Sequence, residues 1–216
     1  MIPVPNAARR RHLNGLGLVS AALLLGACAG SPATRYFTLS AVAPPTDASH
    51  STPSVAYRGP PVEVRSVQIP PSMDRLEMVR ELSPGQLDIL DFDHWAAPLG
   101  RLARQAITED LTQRLPKDKV AIPGASWPEG RAPLTIDILS FRNADGAASM
   151  ELSWALRLPA PASTDSIPPP AQTGSAPLGG TLRVEMVSGS DASATAQAWS
   201  ALLAKVADRI AGDLSQ

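Results

Sequence analysis

The sequence predicts an α/β fold: a single layered domain with a mixed or largely antiparallel sheet and two main helices packed on it. Three observations predict it. Several short segments alternate apolar and polar residues, the period of a half-buried strand. Two long segments at separate places in the chain repeat apolar residues at helical spacing. No internal repeat is visible, and 216 residues suit one domain plus a tether.

The elements follow in order. Arg35-Tyr36-Phe37-Thr38-Leu39 is aromatic and β-branched and reads as a strand. Residues 43–61, rich in Pro, Ser, Thr and Ala, have little to bury and read as a flexible loop. Val62 to Ile69 alternates and is stopped by Pro70-Pro71. Glu77 to Leu82 and Gln86 to Leu90, separated by Ser83-Pro84-Gly85, read as a hairpin. A helix begins at Asp93 or Pro98 and ends at Pro116. Its buried stripe is Leu99, Leu102, Ala103, Ala106, Ile107, Leu111 and Leu115, leaving Arg101, Arg104, Glu109 and Arg114 mostly outside.

Val120-Ala121-Ile122 reads as a short strand, and Leu134 to Phe141 as a longer one with Asp137 turned outward. The turn-forming Asn143-Ala144-Asp145-Gly146 joins it to Ser149–Leu158. Residues 159–177 are Pro-rich and low in complexity, and read as a flexible insertion in a hairpin. Thr181 to Val187 pairs back, and a helix from about Ser193 to Asp213 buries Trp199, Leu202, Leu203, Val206, Ile210 and Leu214.

The start of the chain carries a different signal. Arg9-Arg10-Arg11 precede an apolar run, Leu13 to Leu25, and Leu25-Gly26-Ala27-Cys28 closes it. A basic n-region, an apolar h-region and small residues before a cleavage point make residues 1–27 a signal peptide. The only cysteine of the chain stands directly after, so Cys28 is the expected lipidation site of a bacterial lipoprotein. The apolar run is short for a membrane span. Residues 28–34 then form a lipidated tether and residues 35–216 the domain. Ala29 follows Cys28 where an Asp tends to favour inner-membrane retention, so the periplasmic face of the outer membrane is the expected location.

Removing residues 1–27 takes away three arginines and no acid, leaving 16 Lys and Arg against 20 Asp and Glu, a net charge of −4. That balance argues against a nucleic-acid partner. With Cys28 acylated, no thiol is left for a disulfide or a thiolate metal site.

Catalytic chemistry is hard to assemble from what remains. The processed chain has two histidines, His50 and His94. There is no Gly-x-Ser-x-Gly elbow and no cysteine nucleophile. Asp88, Asp91 and Asp93 near His94 match no standard metal spacing, and read instead as acids at a helix N-terminus. Gly179-Gly180 is too short to cradle a phosphate and reads as a turn. No cofactor or metal is expected. Asp74-Arg75 has two readings: a surface salt bridge or turn cap, or a polar contact that fixes a loop or docks a partner. Phe92 and Trp95 also have two: rings closing the core at the start of the helix, or an exposed aromatic anchor. The continuing stripe through Leu99 and Leu102 favours the core.

Taken together, several segments resemble one family. They are the lipobox ending at Cys28, Arg35-Tyr36-Phe37-Thr38-Leu39, and Val62-x-Val64-x-x-Val67-x-Ile69-Pro70-x-x-Met73-Asp74-Arg75. Met78-Val79, Asp91-Phe92-x-x-Trp95-Ala96-x-Pro98-Leu99 and the Trp199–Leu214 helix follow. This pattern resembles the ABC-type transport auxiliary lipoproteins, the PqiC-like family. The family often has an aromatic residue at the position of Ser72 and Pro-Gln where this chain has Leu76-Glu77.

The resemblance implies a non-enzymatic component of a system that moves lipid between the two membranes. Its partners would be a periplasmic MCE-domain protein and an ABC transporter or permease, with the lipid anchor supplying membrane attachment. It leaves homo-oligomerisation open. Asp74, Arg75, Phe92 and Trp95 are the candidate partner-binding residues. Two other classes compete: a lipid-binding shuttle or acceptor, and a periplasmic envelope enzyme, against which the histidine inventory argues.

Overall fold

The computed structural model describes residues 32–44, 57–83, 85–122, 124, 130–159 and 177–215. Cys28, His50, most of the 43–61 loop and most of the 159–177 insertion lie outside the described residues. Arg35–Gln216 forms one compact unit.

The strands divide into two mixed sheets. The larger runs β2 (Val62–Gln68), β5 (Ala132–Ala144), β6 (Ala147–Leu156), β7 (Leu178–Val187). Its first pair is parallel and the others antiparallel. The smaller runs β1 (Arg35–Phe37), β4 (Gln86–Trp95), β3 (Glu77–Ser83), with β1 parallel to β4 and β3 antiparallel to it. Helices α1 (Leu99–Arg114) and α2 (Ala192–Asp213) pack on one another; α1 lies against β2, and α2 against β6 and β7.

Local chemistry accounts for the boundaries. Leu115 is extended because Pro116 follows it, and a residue before proline is pushed out of the helical region. Pro98 opens α1 without a side-chain cap, so the acids upstream do not cap this helix. Asp191 does cap α2, its carboxylate accepting from the Ala194 N–H at 2.9 Å. Between β5 and β6, Asp145 and Gly146 both adopt positive φ, 54° and 80°, the requirement of a two-residue type I′ turn.

Other boundaries depart from the sequence reading. Gly179 and Gly180 are inside β7, opposite Ala155 and Trp154, and are not a turn. A Cβ on Gly179 would sit 2.3 Å from the Trp154 carbonyl oxygen, so only glycine lets the strands close there. Val120 makes only an isolated bridge to Val62.

One continuous core fills the space between helices and sheet. Trp199, 1% exposed, is stacked on Phe141 with ring centroids 4.4 Å apart. Trp95 meets its edge at 6.5 Å and 80°.

Arg114 is not on the outer face. Its side chain is 4% exposed and sits between the helices. Arg114 Nε donates to Asp208 Oδ1 of α2 at 2.6 Å, and NH1 donates to the Asp110 carbonyl at 3.0 Å. The same guanidinium donates to the Val42 carbonyl at 3.1 Å, while Asp110 Oδ1 accepts from the Val42 N–H at 2.8 Å. The pair thus grips both backbone groups of one residue in the segment after β1. The helical spacing of Arg114 suggested an outward position, but a buried acid one turn back and another on α2 supply the charge that lets it turn in.

Burial pushes the Asp110 carboxyl up to about 6 from an ordinary 3.8, and its second oxygen has no partner. Between the ordinary value of 3.8 and about 6 the folded protein therefore holds a proton there that the unfolded chain releases, and above that range the buried carboxylate is charged beside Arg114. Stability from this group is fullest below the ordinary carboxylate range and declines as pH rises through about 6. Denaturant unfolding from pH 4.5 to 7 should show wild type losing stability relative to Asp110→Asn. Parallel curves would refute this assignment.

Candidate docking site

The four residues singled out from the sequence lie around the smaller sheet, but only three are exposed. Pro70-Pro71 stops β2, and the chain turns: the Met73 and Asp74 N–H groups both donate to the Pro70 carbonyl, at 2.8 and 3.0 Å. This turn presents Asp74 and Arg75 to solvent. Arg75 does not pair with Asp74. Its Nε donates to Glu77 Oε2 at 3.0 Å, at the start of β3. A hydrogen bond from its own backbone N–H, and then Arg75, hold the Glu77 carboxyl below the ordinary range. The pair is exposed and contributes little to stability.

Register builds a row across the sheet from this point. Glu77 stands opposite His94 on β4, and His94 stands opposite Tyr36 on β1. The Tyr36 and His94 rings meet edge to face, centroids 5.9 Å apart. His94 Nε2 lies 3.2 Å from the Asp91 carbonyl. Phe92, two residues before His94 and 42% exposed, adds a second aromatic surface, and Tyr36 is 68% exposed. Arg75, Phe92, His94 and Tyr36 thus form a mixed aromatic and charged surface around one sheet.

Trp95 points the other way. Phe92 and Trp95 are both in β4, not at the start of a helix. Three residues along a strand place side chains on opposite faces, where three along a helix nearly share one. Trp95 is 3% exposed and belongs to the core. The supposition that the two rings act together therefore fails. Asp93 also turns inward and takes a bidentate ion pair from Arg35, Nε to Oδ1 at 2.6 Å and NH2 to Oδ2 at 2.9 Å. Arg35 is held in its charged form by that carboxylate.

Sequence reasoning did not single out Tyr36 or Glu77, and weighed His94 only for catalysis or metal binding, not for docking. Each has an ordinary local pattern, and only the long-range parallel pairing of β1 with β4 brings them together. No catalytic arrangement appears among the described residues: His94 has no nucleophile in reach of its ring among the hydrogen bonds described. No group of three His, Cys, Asp or Glu that could hold a metal ion occurs among them either.

A family described as the ABC-type transport auxiliary lipoprotein component matches residues 37–211. The chain belongs to that family. This auxiliary component is thus part of an ABC-type transport system with transporter partners, in a family that is not a known enzyme class. The lipoprotein character of the family suggests a membrane-anchored location in the envelope.

Solved structures support the fold. One crystal structure, of an uncharacterized protein, aligns with a TM-score of 0.57 at 20% identity, covering 83% of this chain and 99% of that one. Protein XCC0632 from Xanthomonas campestris, described under the family name DUF330, aligns with a TM-score of 0.58 at 20% identity, covering 83% and 93%. No curated protein matches the chain. Among the described residues, no helix is long and apolar enough to cross a membrane.

Proposed function

We propose that the protein is an outer-membrane lipoprotein, anchored through Cys28, that docks a periplasmic MCE-domain protein of an intermembrane lipid transport system. The observation that carries the docking reading is the surface that exposed Arg75, Phe92 and Tyr36 and half-buried His94 form over the smaller sheet, whose central strand is β4. Aromatic and arginine side chains carry much of the energy of protein interfaces. Asp74 beside them adds a carboxylate for a basic partner group. Trp95 contributes from beneath, by fixing β4.

Anchoring and docking reinforce each other. A lipid confines the domain to a thin layer, which raises its effective concentration for a partner that reaches the same membrane. The seven residues from Cys28 to Thr34 span at most about 25 Å when extended, so the domain stays close to its anchor.

The test uses the full-length protein in cells that also express a candidate MCE-domain partner. Cys28→Ser should abolish fatty-acid labelling and membrane retention. Arg75→Ala with Phe92→Ala should leave labelling and melting temperature unchanged while reducing partner capture by about tenfold or more. Full labelling of the Cys28 variant refutes the anchor, and undiminished capture by the double variant refutes this docking surface.

A further inference from the structure

A second surface lies along the outer edge of β3, bounded at one end by Pro70, Ser72 and Met73 of the turn that leads to Arg75. Strand β2 accompanies β5 only as far as the pair Gln68 and Asp137. Beyond it, the edge of β5 facing away from β6 has no ladder partner among the described residues. Among the described residues β3 is itself an edge strand, paired only with β4. The two unpaired edges approach each other without joining, and Arg142 Nε bridges them at one point through Glu81 Oε2, at 2.9 Å. Between them is a slot of about 360 Å³.

Its walls are apolar where the strands are open. Val79 and Leu87 line one side, Leu139 and Phe141 the other. Leu139 occupies a β-bulge: the ladder to β6 shifts between Ile138 and Ser140, and Leu139 is left 54% exposed. A bulge re-aims a side chain and ends regular pairing. Leu87 is 47% exposed.

Two residues of the lining, Asn143 and Arg80, each carry a buried polar atom without a hydrogen-bond partner among the described residues. Asn143, 6% exposed, donates through Nδ2 to the Gly189 carbonyl at 2.8 Å and to Thr195 Oγ1 at 2.9 Å. Those bonds fix the amide orientation, and Oδ1 is buried with no donor. Arg80 gives NH2 to Asp88 Oδ2 at 2.6 Å, while its Nε is buried with no acceptor. A buried polar atom without a partner costs about 1–3 kcal/mol, so a native slot with two of them invites explanation.

We propose that this slot is the binding site of an extended, apolar polypeptide segment from a protein partner. The slot requires a donor for Asn143 Oδ1, an acceptor for Arg80 Nε–H, apolar side chains for Leu87 and Leu139, and ladder bonds for an open strand edge. A peptide backbone supplies the first two in alternation, and alternate side chains supply the third. An acyl chain supplies only the apolar part. The assignment gives the auxiliary component a second contact, chemically unlike the aromatic row, and does not depend on which protein the row docks.

The test uses the lipidated protein in nanodiscs and a phage-displayed library of 12-residue peptides. Selected peptides should carry apolar residues at alternate positions. On binding they should slow amide exchange in residues 79–81 and 139–143. Leu139→Asp, at an exposed position, should keep the melting temperature and weaken binding by about tenfold or more, because it places a charge against apolar side chains. The proposal is overturned if no peptide is enriched, or if selected peptides bind the Leu139 variant equally well. It is also overturned if lysophosphatidylethanolamine gives the exchange protection that peptides fail to give. Self-association that Leu139→Asp dissolves would overturn it too, by assigning the slot to a second copy. None of these outcomes bears on capture through Arg75 and Phe92, so the two readings fail separately.

Discussion

Trp95→Ala should lower the unfolding free energy by about 3–5 kcal/mol, the loss typical of deleting a buried aromatic side chain. Trp95 is 3% exposed and meets Trp199 edge to face. Trp199 in turn stacks on Phe141, so the vacancy would open beside the Trp199 ring of α2 and disturb its stack on Phe141 of β5. The backbone around Trp95 carries load as well. Its N–H donates to the Leu76 carbonyl at 2.6 Å, and the next N–H, of Ala96, donates to Phe37 at 2.7 Å. Phe92→Ala, by contrast, should stay within about 0.5 kcal/mol of wild type, as exposed substitutions usually do. Urea titration of both variants checks the pair. A Trp95 variant as stable as wild type would remove this residue from the core.

Arg114→Ala should cost a similar amount, about 3–5 kcal/mol, because it leaves Asp110 buried without its counter-charge. It also releases both the Asp208 contact and the Val42 carbonyl. The double variant Arg114→Met with Asp110→Asn should recover much of that loss, since the uncompensated charge is then gone. Thermal or denaturant unfolding of the three proteins decides it. A double variant no better than Arg114→Ala would mean that the loss comes from packing of the guanidinium stem.

Patterns of one period were legible in the sequence, and changes of partner were not. The helix stripe from Leu99 to Leu111 and the stripe from Trp199 to Ile210 are buried as their spacing demands. The hairpins follow from Ser83-Pro84-Gly85 and from Asp145-Gly146. Phe92 and Trp95 misled because three-residue spacing has opposite meanings in a strand and a helix. The acids near them suited a helix start, while Pro98 needs no such cap. Arg114 misled because an outward helical position carries no trace of an acid on a helix 94 residues away. The division into two sheets depends on β1 pairing with β4 across 58 positions, and no local signal records that choice.

Under tension, the contacts of the segment from Arg35 to Val42 would act as a mechanical fuse with two stages. Tension applied through the chain ahead of Arg35 reaches a three-residue strand first, held by a short ladder and the Arg35–Asp93 fork. A strand that short yields before the core does. The next holding point is Val42, gripped at both its N–H and its carbonyl by Asp110 and Arg114. Between them lie only four residues, Thr38 to Ala41, with Ser40 tied to Ser200 at 3.2 Å. When β1 gives way, the tether lengthens by a few residues and the load passes to a buried ionic clamp between the two helices. With the proposed Cys28 anchor, the domain would thereby gain reach while its helices and larger sheet stay folded.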